Sequence, residues 1–394
     1  MQHDRPTTLP QADRDSAAHS RRVVNYIVER IREAGGSLSF AEYMHHALYA
    51  PGLGYYAAGA RKFGEDGDFV TAPESSPVFG RVLARQCAEV FAQTEKAAIL
   101  EFGAGTGKLA ATILATLEEL GALPERYEIL EVSGDLQERQ LNYLSAEVPQ
   151  LVSRVAWVQE APAAHRGVIV ANEVLDALPV ERFKKTDKAL NQIRVSEDNG
   201  VFVIVEAPAH ERLVKQVHAI EEALGESLPI GLVSEISPAV PDWIAMLARS
   251  LQEGVAFLFD YGVSRREYYS GERSEGWLRC HFRHHVHSDP LILTGIQDLT
   301  AWVDFSAVAE AAIESGLDVA GYSAQAQFLM GGGLAAEMQG FASLPVLRQL
   351  QLSGQIKTLT LPAEMGEHFK CMALRRGDIE SPSAFRLADR THTL

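Results

Sequence analysis

The sequence predicts an α/β fold built on a parallel sheet, and three observations carry that prediction. The stretch Ile99-Leu100-Glu101-Phe102-Gly103-Ala104-Gly105-Thr106-Gly107-Lys108-Leu109 sets three glycines at alternate positions between a short apolar run and a helical run. Further along, short apolar runs alternate with helical periodicity, the order that makes parallel strands joined by crossover helices. At 394 residues, 46% of them hydrophobic, the chain can bury a large core. Its length suits two or three domains, or one with substantial insertions.

Residues 1 to 20 carry Asp4, Asp13 and Asp15 among prolines and polar residues, with no apolar centre. They resemble neither a secretory signal nor an acid-poor transit peptide, and the expectation is a disordered tail. From Arg21 the spacing of Val23, Val24, Ile27 and Ile31 predicts a helix that Gly35-Gly36 stops. Ser39-Phe40-Ala41-Glu42 is a capping box, in which hydroxyl and carboxylate satisfy each other's backbone donors, and predicts a helix to about Leu48. Two loops rich in Gly and Pro follow, residues 49 to 56 and residues 67 to 74. Read from their residues alone, both are packed loops, the second leading into a helix at residues 77 to 91 that Pro77 can begin. Residues 21 to 95 thus form an N-terminal helical and loop segment.

The first strand reaches Glu101 and passes through the glycines into a helix over residues 109 to 117. Residues 127 to 132 are the second strand, followed by a helix at 135 to 144, and residues 155 to 158 are the third. Residues 167 to 172, apolar throughout, read as a fourth strand covered on both faces. Residues 254 to 261 are the fifth. Between the last two the chain is too long for one crossover helix. Residues 190 to 206 alternate like a hairpin turning at Asp198-Asn199-Gly200, and residues 210 to 224 are helical. The expected division is a core of residues 96 to 179 and 250 to 394 with an inserted subdomain at 180 to 249. Helices near 304 to 316 and 345 to 353 and a strand at 368 to 374 complete the chain.

A net charge of −16 argues against a general nucleic-acid binder, which needs a concentrated basic surface. Arg279, Arg283 and the neighbouring histidines are the one visible basic patch. Cys87, Cys280 and Cys371 form no C-x-x-C pair, so neither a disulfide framework nor structural zinc is expected, and a reducing compartment fits. No run approaches the roughly 18 apolar residues of a membrane span. These features predict a soluble, cytoplasmic protein without nucleic-acid partners. The segment Cys280-His281-Phe282-Arg283-His284-His285-Val286-His287 matches none of the usual closed zinc spacings. No metal is expected there; it reads as a polar loop or strand facing a cleft, or as a solvated basic segment.

Ligands of open α/β sheets bind at the carboxyl ends of the strands, which brings Glu101, Glu131, Asn172-Glu173 and Asp260 under consideration together. The glycine stretch lacks the third glycine of the dinucleotide fingerprint and the Ser or Thr of a P-loop. Its E-x-G-x-G-x-G form resembles motif I of class I S-adenosylmethionine (SAM) methyltransferases, where the turn lies against the methionine part of the cofactor. Glu131, 24 positions beyond Gly107, can accept hydrogen bonds from both ribose hydroxyls of an adenosine. Glu173 and Asp176 are three apart, so one helical turn would set both on one side. There they could clamp a guanidinium through charge-assisted hydrogen bonds. Alternatively Asp176 caps a helix and Glu173 orients the cofactor's amino group.

These blocks together resemble the MidA-type SAM-dependent methyltransferases, whose mitochondrial members act on a protein arginine during assembly of respiratory complex I. The resemblance runs from about Ile27 to the C-terminal strand. It rests on Ser39 to Met44, Gly54-Tyr55-Tyr56, Gly67 to Glu74, the glycine turn, Asn172 to Pro179, Asp260-Tyr261-Gly262 and Asp298 to Phe305. It implies a Rossmann-like class I SAM methyltransferase sheet with an N-terminal helical segment and an inserted substrate-side subdomain. SAM is the implied cofactor, held by Thr71, Glu101, Gly103, Gly105, Gly107, Glu131, Val132 and Asn172. Glu173 and Asp176 are the implied catalytic acids, and Tyr55, Tyr56, Asp68 and Glu74 the substrate-side residues, with residues 68 to 74 lying over the cofactor. The chain departs from the family at Ala72, commonly serine, and at Ala104, often proline. The implied reaction is in-line methyl transfer to an arginine of a partner protein such as a respiratory-complex subunit. The alternatives are a methyltransferase for a small molecule or another side chain, and a SAM-binding assembly factor without catalysis. The insertion offers a surface for a homo-oligomer.

Overall fold

Seven strands make the central sheet: β1 (Ala98–Phe102), β2 (Tyr127–Leu130), β3 (Val155–Val158), β4 (His165–Asn172), β5 (Leu251–Val263), β6 (Asp318–Ala324) and β7 (Phe369–Arg376). They lie side by side in the order β3-β2-β1-β4-β5-β7-β6, and the two-residue strand Val303–Asp304 adds to the end of β5. The computed structural model that shows this describes residues 9–57, 71–271 and 273–394. β1 to β5 run parallel, while β7 is antiparallel to both its neighbours. The chain leaves β1 for β2 on one side and later returns to β4 on the other. That reversal opens a crevice beyond the carboxyl ends of β1 and β4.

The strands hold together because their middles are apolar on both faces. Val168, Ile169 and Val170 of β4 and Val255 to Phe259 of β5 are buried, and Phe79, Leu83, Leu109, Ile113 and Phe328 belong to the core that covers them. The helices Pro77–Phe91 and Lys108–Glu119 approach closely at Gly80, where an added Cβ would come within 2.9 Å of Thr112.

The chain divides into two units. The sheet unit comprises Val70–Asp176, Val240–Ser264 and Val303–Leu394, the other Met1–Phe69, Ala177–Ala239 and Arg265–Trp302. In the second unit Ser37–Ser39 pairs antiparallel with Leu190–Asp198, Ser37 opposite Ser196. Glu181–Lys185, Val233–Ile236 and Val201–Pro208 complete that sheet. Its core gathers Ile27, Phe40, Tyr43 and Met44 with Val195, Phe202, Cys280 and Leu299. The division expected from the sequence is therefore redrawn. The N-terminal helices and the insertion share one sheet and one core, because strand pairing joins residues 37 and 196. Residues 265 to 302 join them, whereas the helix Pro77–Phe91 belongs to the sheet unit.

The N-terminal helix begins at Arg14 and runs to Glu33. The disordered tail expected over residues 1 to 20 thus fails from residue 14 onward, while residues 1 to 8 lie outside the described residues. The reason is local. Asp13, expected within the tail, caps the helix by accepting from the backbone of Asp15 and Ser16, and it pairs with Arg283 at 2.6 Å. The histidine segment is a β-hairpin, Leu278–Phe282 and His285–His287, turning on Arg283 and His284, whose φ of 48° and 62° are both left-handed. Among the described residues no group of three His, Cys, Asp or Glu is placed to hold a metal ion. No helix among them is long and apolar enough to cross a membrane.

Parallel strands meet closely at their amino ends. Gly254 (φ 134°) lies opposite Gly167 (φ 116°), and a Cβ on Gly254 would fall 1.9 Å from the Gly167 carbonyl oxygen. Gly254→Ala is therefore expected to destabilise the protein by about 2–4 kcal/mol through clash and backbone strain. Urea denaturation measures this, and a change below about 1 kcal/mol would contradict it.

Candidate functional site

The glycine turn leaves β1 with all three glycines left-handed, φ 64° at Gly103, 54° at Gly105 and 87° at Gly107. Side chains are strained in that region, which accounts for the alternate spacing. The Gly107 N–H donates to the Ala104 carbonyl at 2.8 Å, and Gly107 caps the helix Lys108–Glu119. A Cβ at Gly105 would meet nothing within 4 Å, so the turn is open there. From the preceding short helix Glu74 reaches the turn: its buried carboxylate accepts from the Thr106 hydroxyl and pairs with the Lys108 ammonium. Glu74, expected on the substrate side, thus holds the turn. Thr71 precedes the short helix Ala72–Ser75, and its carbonyl accepts from the Ser75 backbone at 3.0 Å. Asp68 lies outside the described residues.

Glu131 follows β2 and is buried. Its Oε1 accepts from the Ser133 backbone at 2.9 Å and its Oε2 from the Gln140 amide at 3.4 Å. The same Gln140 amide donates to the Gly105 carbonyl at 3.0 Å, and its oxygen accepts from the Trp157 indole at 2.8 Å. One side chain thereby links the glycine turn, the acid after β2 and β3. Sequence reading missed Gln140. The available signal was a polar residue in the inward stripe Leu136, Gln140, Leu144 of its helix. Val132, next to Glu131, is 77% exposed. Glu101 sits one residue short of the end of β1, 2% exposed, accepting from the Tyr127 hydroxyl at 2.8 Å.

Beyond β4, Glu173 takes a left-handed φ of 55°, uncommon for a residue with a side chain. Its N–H donates to the Phe259 carbonyl of β5 at 2.8 Å. The Asn172 amide donates to the Glu173 carboxylate at 3.2 Å, while the buried Asn172 Oδ1 has no hydrogen-bond partner. The helical turn expected to align Glu173 with Asp176 is absent: residues 173 to 178 form an irregular turn. Asp260 shapes that turn instead. Its Oδ2 accepts from the Leu175 and Asp176 N–H groups at 2.9 and 3.1 Å. The Tyr261 hydroxyl, a second group sequence reading left unassigned, donates to Asp176. Burial, then the charges of Asp176 and Glu173, push the Asp260 carboxyl well above its usual range. Burial, then Asp176, also raises the Tyr261 hydroxyl.

Two expected substrate-side residues lie in the other unit. Tyr55 is 2% exposed within its core, so it packs rather than lining a cleft. Tyr56 stacks on Tyr49 with centroids 5.5 Å apart and donates to both Asp298 oxygens at 3.0 Å.

Residues 82–323 match the family described as "Putative S-adenosyl-L-methionine-dependent methyltransferase". Two curated relatives, from Danio rerio and Mus musculus, are named protein arginine methyltransferase NDUFAF7, mitochondrial. The first is 28% identical over 90% of this chain and 87% of its own. The second is 29% identical over 89% and 84%. A crystal structure from Burkholderia thailandensis with S-adenosyl-homocysteine bound is 39% identical, with a TM-score of 0.92, over 98% of this chain and 100% of the other. The cofactor of the matched family is SAM. The cytoplasmic expectation is corrected by these relatives, whose names are mitochondrial and point there rather than to the cytoplasm. Free cysteines and the lack of an apolar span suit any reducing aqueous compartment, so those features never separated the two.

The buried Glu101 makes stability depend on pH. Burial raises its carboxyl from 4.5 to about 7 against the smaller opposing effect of Tyr127. Between those values the folded chain holds a proton that the unfolded chain has lost, so stability falls as pH rises through the window. Glu101→Gln keeps the bond from Tyr127 and removes the titration. Its stability relative to the parent is expected to rise by about 2–3 kcal/mol from pH 5 to pH 8. Parallel stability curves in urea over that range would contradict it.

Proposed function

Because the chain belongs to this family of SAM-dependent methyltransferases, we propose that it transfers a methyl group to an arginine side chain of a partner protein. The observation that carries the proposal is the convergence of Glu173 and Asp176, beyond β4, with Asp260, near the end of β5, where burial and mutual repulsion disfavour three negative charges. A cationic acceptor relieves that repulsion. The relatives named protein arginine methyltransferase support guanidinium as the cation. Assignment of the partner to a respiratory complex, and a role in its assembly, rest on the family resemblance.

The residues at the strand ends suit SAM. The open backbone at Gly105 permits close approach, Glu131 offers carboxylate oxygens for ribose hydroxyls, and the exposed Val132 offers an apolar face for adenine. The orphaned Asn172 Oδ1 can accept from an amino group. Bound SAM supplies a methyl group on a sulfonium, already activated for displacement. The protein's share is alignment and proton management. Gln140 and Glu74 fix the glycine turn and Glu131. Asp260 fixes residues 175 and 176. Glu173 and Asp176 hold the guanidinium and take up the proton that the methylated nitrogen releases. The left-handed backbone at Glu173 is strain of the kind kept where a side chain must be aimed.

Calorimetry with SAM tests the cofactor half. Glu131→Ala is expected to weaken binding about tenfold or more, the loss of charge-assisted hydrogen bonds. A parent protein that binds no SAM at millimolar concentration overturns the enzyme reading. Transfer of labelled methyl into cell protein, followed by acid hydrolysis, tests the acceptor. Glu173→Gln and Asp176→Asn are each expected to lower methylarginine formation by about 100-fold, with SAM affinity nearly unchanged. Label recovered outside arginine, or methylarginine undiminished in the double variant, overturns it.

A further inference from the structure

The three-stranded sheet of Leu278–Phe282, His285–His287 and Asp298–Ala301 has one face explained by packing. Leu278, Cys280, Leu299 and Ala301 lie in the hydrophobic core. Side chains alternate across a strand, so Arg279, His281, Asp298 and Thr300 share the opposite face. The register sets Arg279 against Thr300 and His281 against Asp298. In the same phase Trp277 and Trp302 stack, centroids 4.5 Å apart. The Arg273 guanidinium lies over both rings, at 4.3 and 5.2 Å.

Among the described residues the arginines of this face have no paired anion, although Asp298 lies on it. In a chain with 52 acidic residues, neither Arg273 nor Arg279 forms an ion pair among the described residues, and Arg279 donates only to the neighbouring Leu278 carbonyl at 2.6 Å. Thr300 is 2% exposed, and its hydroxyl has no hydrogen-bond partner. Buried hydroxyls are seldom left so. His281 adds no charge at neutral pH, since burial, then His287 and Arg279, hold it down to about 4. Asp298 is engaged by the Tyr56 hydroxyl.

We propose that this face docks an acidic segment of the partner protein, whose carboxylates accept from the guanidinium groups of Arg273 and Arg279 and from the Thr300 hydroxyl. The proposal rests on the reading that the methyl acceptor is a protein. A carboxylate matches the planar fork of a guanidinium, and an arginine stacked on indole keeps its donor edges free for that contact. A nucleic acid or an anionic membrane would bring many phosphates against a chain of net charge −16, whereas a short acidic segment brings few.

The test is fluorescence anisotropy of the full chain with a labelled peptide of glycine, glutamate and aspartate that contains no arginine, in the absence of SAM. Its glutamine and asparagine counterpart and inorganic phosphate serve as controls. The acidic peptide is expected to bind at least tenfold more tightly than the amide peptide. Arg273→Gln and Arg279→Gln should each weaken it about tenfold, Thr300→Val about threefold, and Arg279→Lys, which keeps the charge without the fork, by an intermediate factor. Equal binding of the two peptides, unchanged affinity in the double arginine variant, or displacement by equimolar phosphate overturns the proposal. Matching near-ultraviolet circular dichroism shows that a weakened variant is folded. The peptide has no methyl acceptor, so failure here leaves methylarginine formation untouched. Loss of methylation with peptide binding intact counts against the enzyme reading alone.

Discussion

Left-handed backbone on both sides of one crevice is the constraint from which the site follows. Where the order of strand connection reverses between the parallel strands β1 and β4, the chain leaves β1 through Gly103, Gly105 and Gly107 and leaves β4 through Glu173, all at positive φ. Continuing in extended conformation would carry each loop past the end of the sheet. The reversed handedness folds it back and sets backbone and carboxylates at the rim. Three of the four positions are glycine and incur little strain. The fourth is not, and a bond from Glu173 N–H to the β5 carbonyl of Phe259 holds it.

Polar side chains rather than further apolar packing fix these loops. Gln140 ties Gly105 to Glu131, Glu74 ties Thr106 to Lys108, and Asp260 gathers the Leu175 and Asp176 N–H groups. Each lies at least partly shielded from water, where a hydrogen bond is stronger and an unmade one is costly. The arrangement concentrates carboxylates at the carboxyl end of the sheet. Burial and repulsion there favour either a bound cation or retained protons.

Much of the sheet was legible in the sequence because its signals are local. Apolar runs marked β1 to β5, the capping box of Ser39 and Glu42 forms as written, and the hairpin turns at Asn199 and Gly200, both left-handed. The strand Asp298–Ala301 was missed, and Leu278–Phe282 was not told from a polar loop, because only alternate residues of each are apolar, diluted by arginine, histidine and threonine. The N-terminal helix was begun too late because an acid that caps looks, in sequence, like one that is merely solvated.

By itself the sequence determined the fold class, the glycine turn, the acids after β2 and β4, and the acid near the end of β5. These depend on residue type and on spacing along the chain, which strand and helix geometry convert directly into position. Only the tertiary structure decided what those groups touch. It assigned Glu74 to the turn, Tyr55 to a core, Gln140 to the space between Gly105 and Glu131, and Asp260 to the shaping of residues 175 and 176. It also joined residues 37 and 196 in one sheet. Such pairings span tens to hundreds of positions, and no local periodicity encodes a partner that distant; register and packing select it.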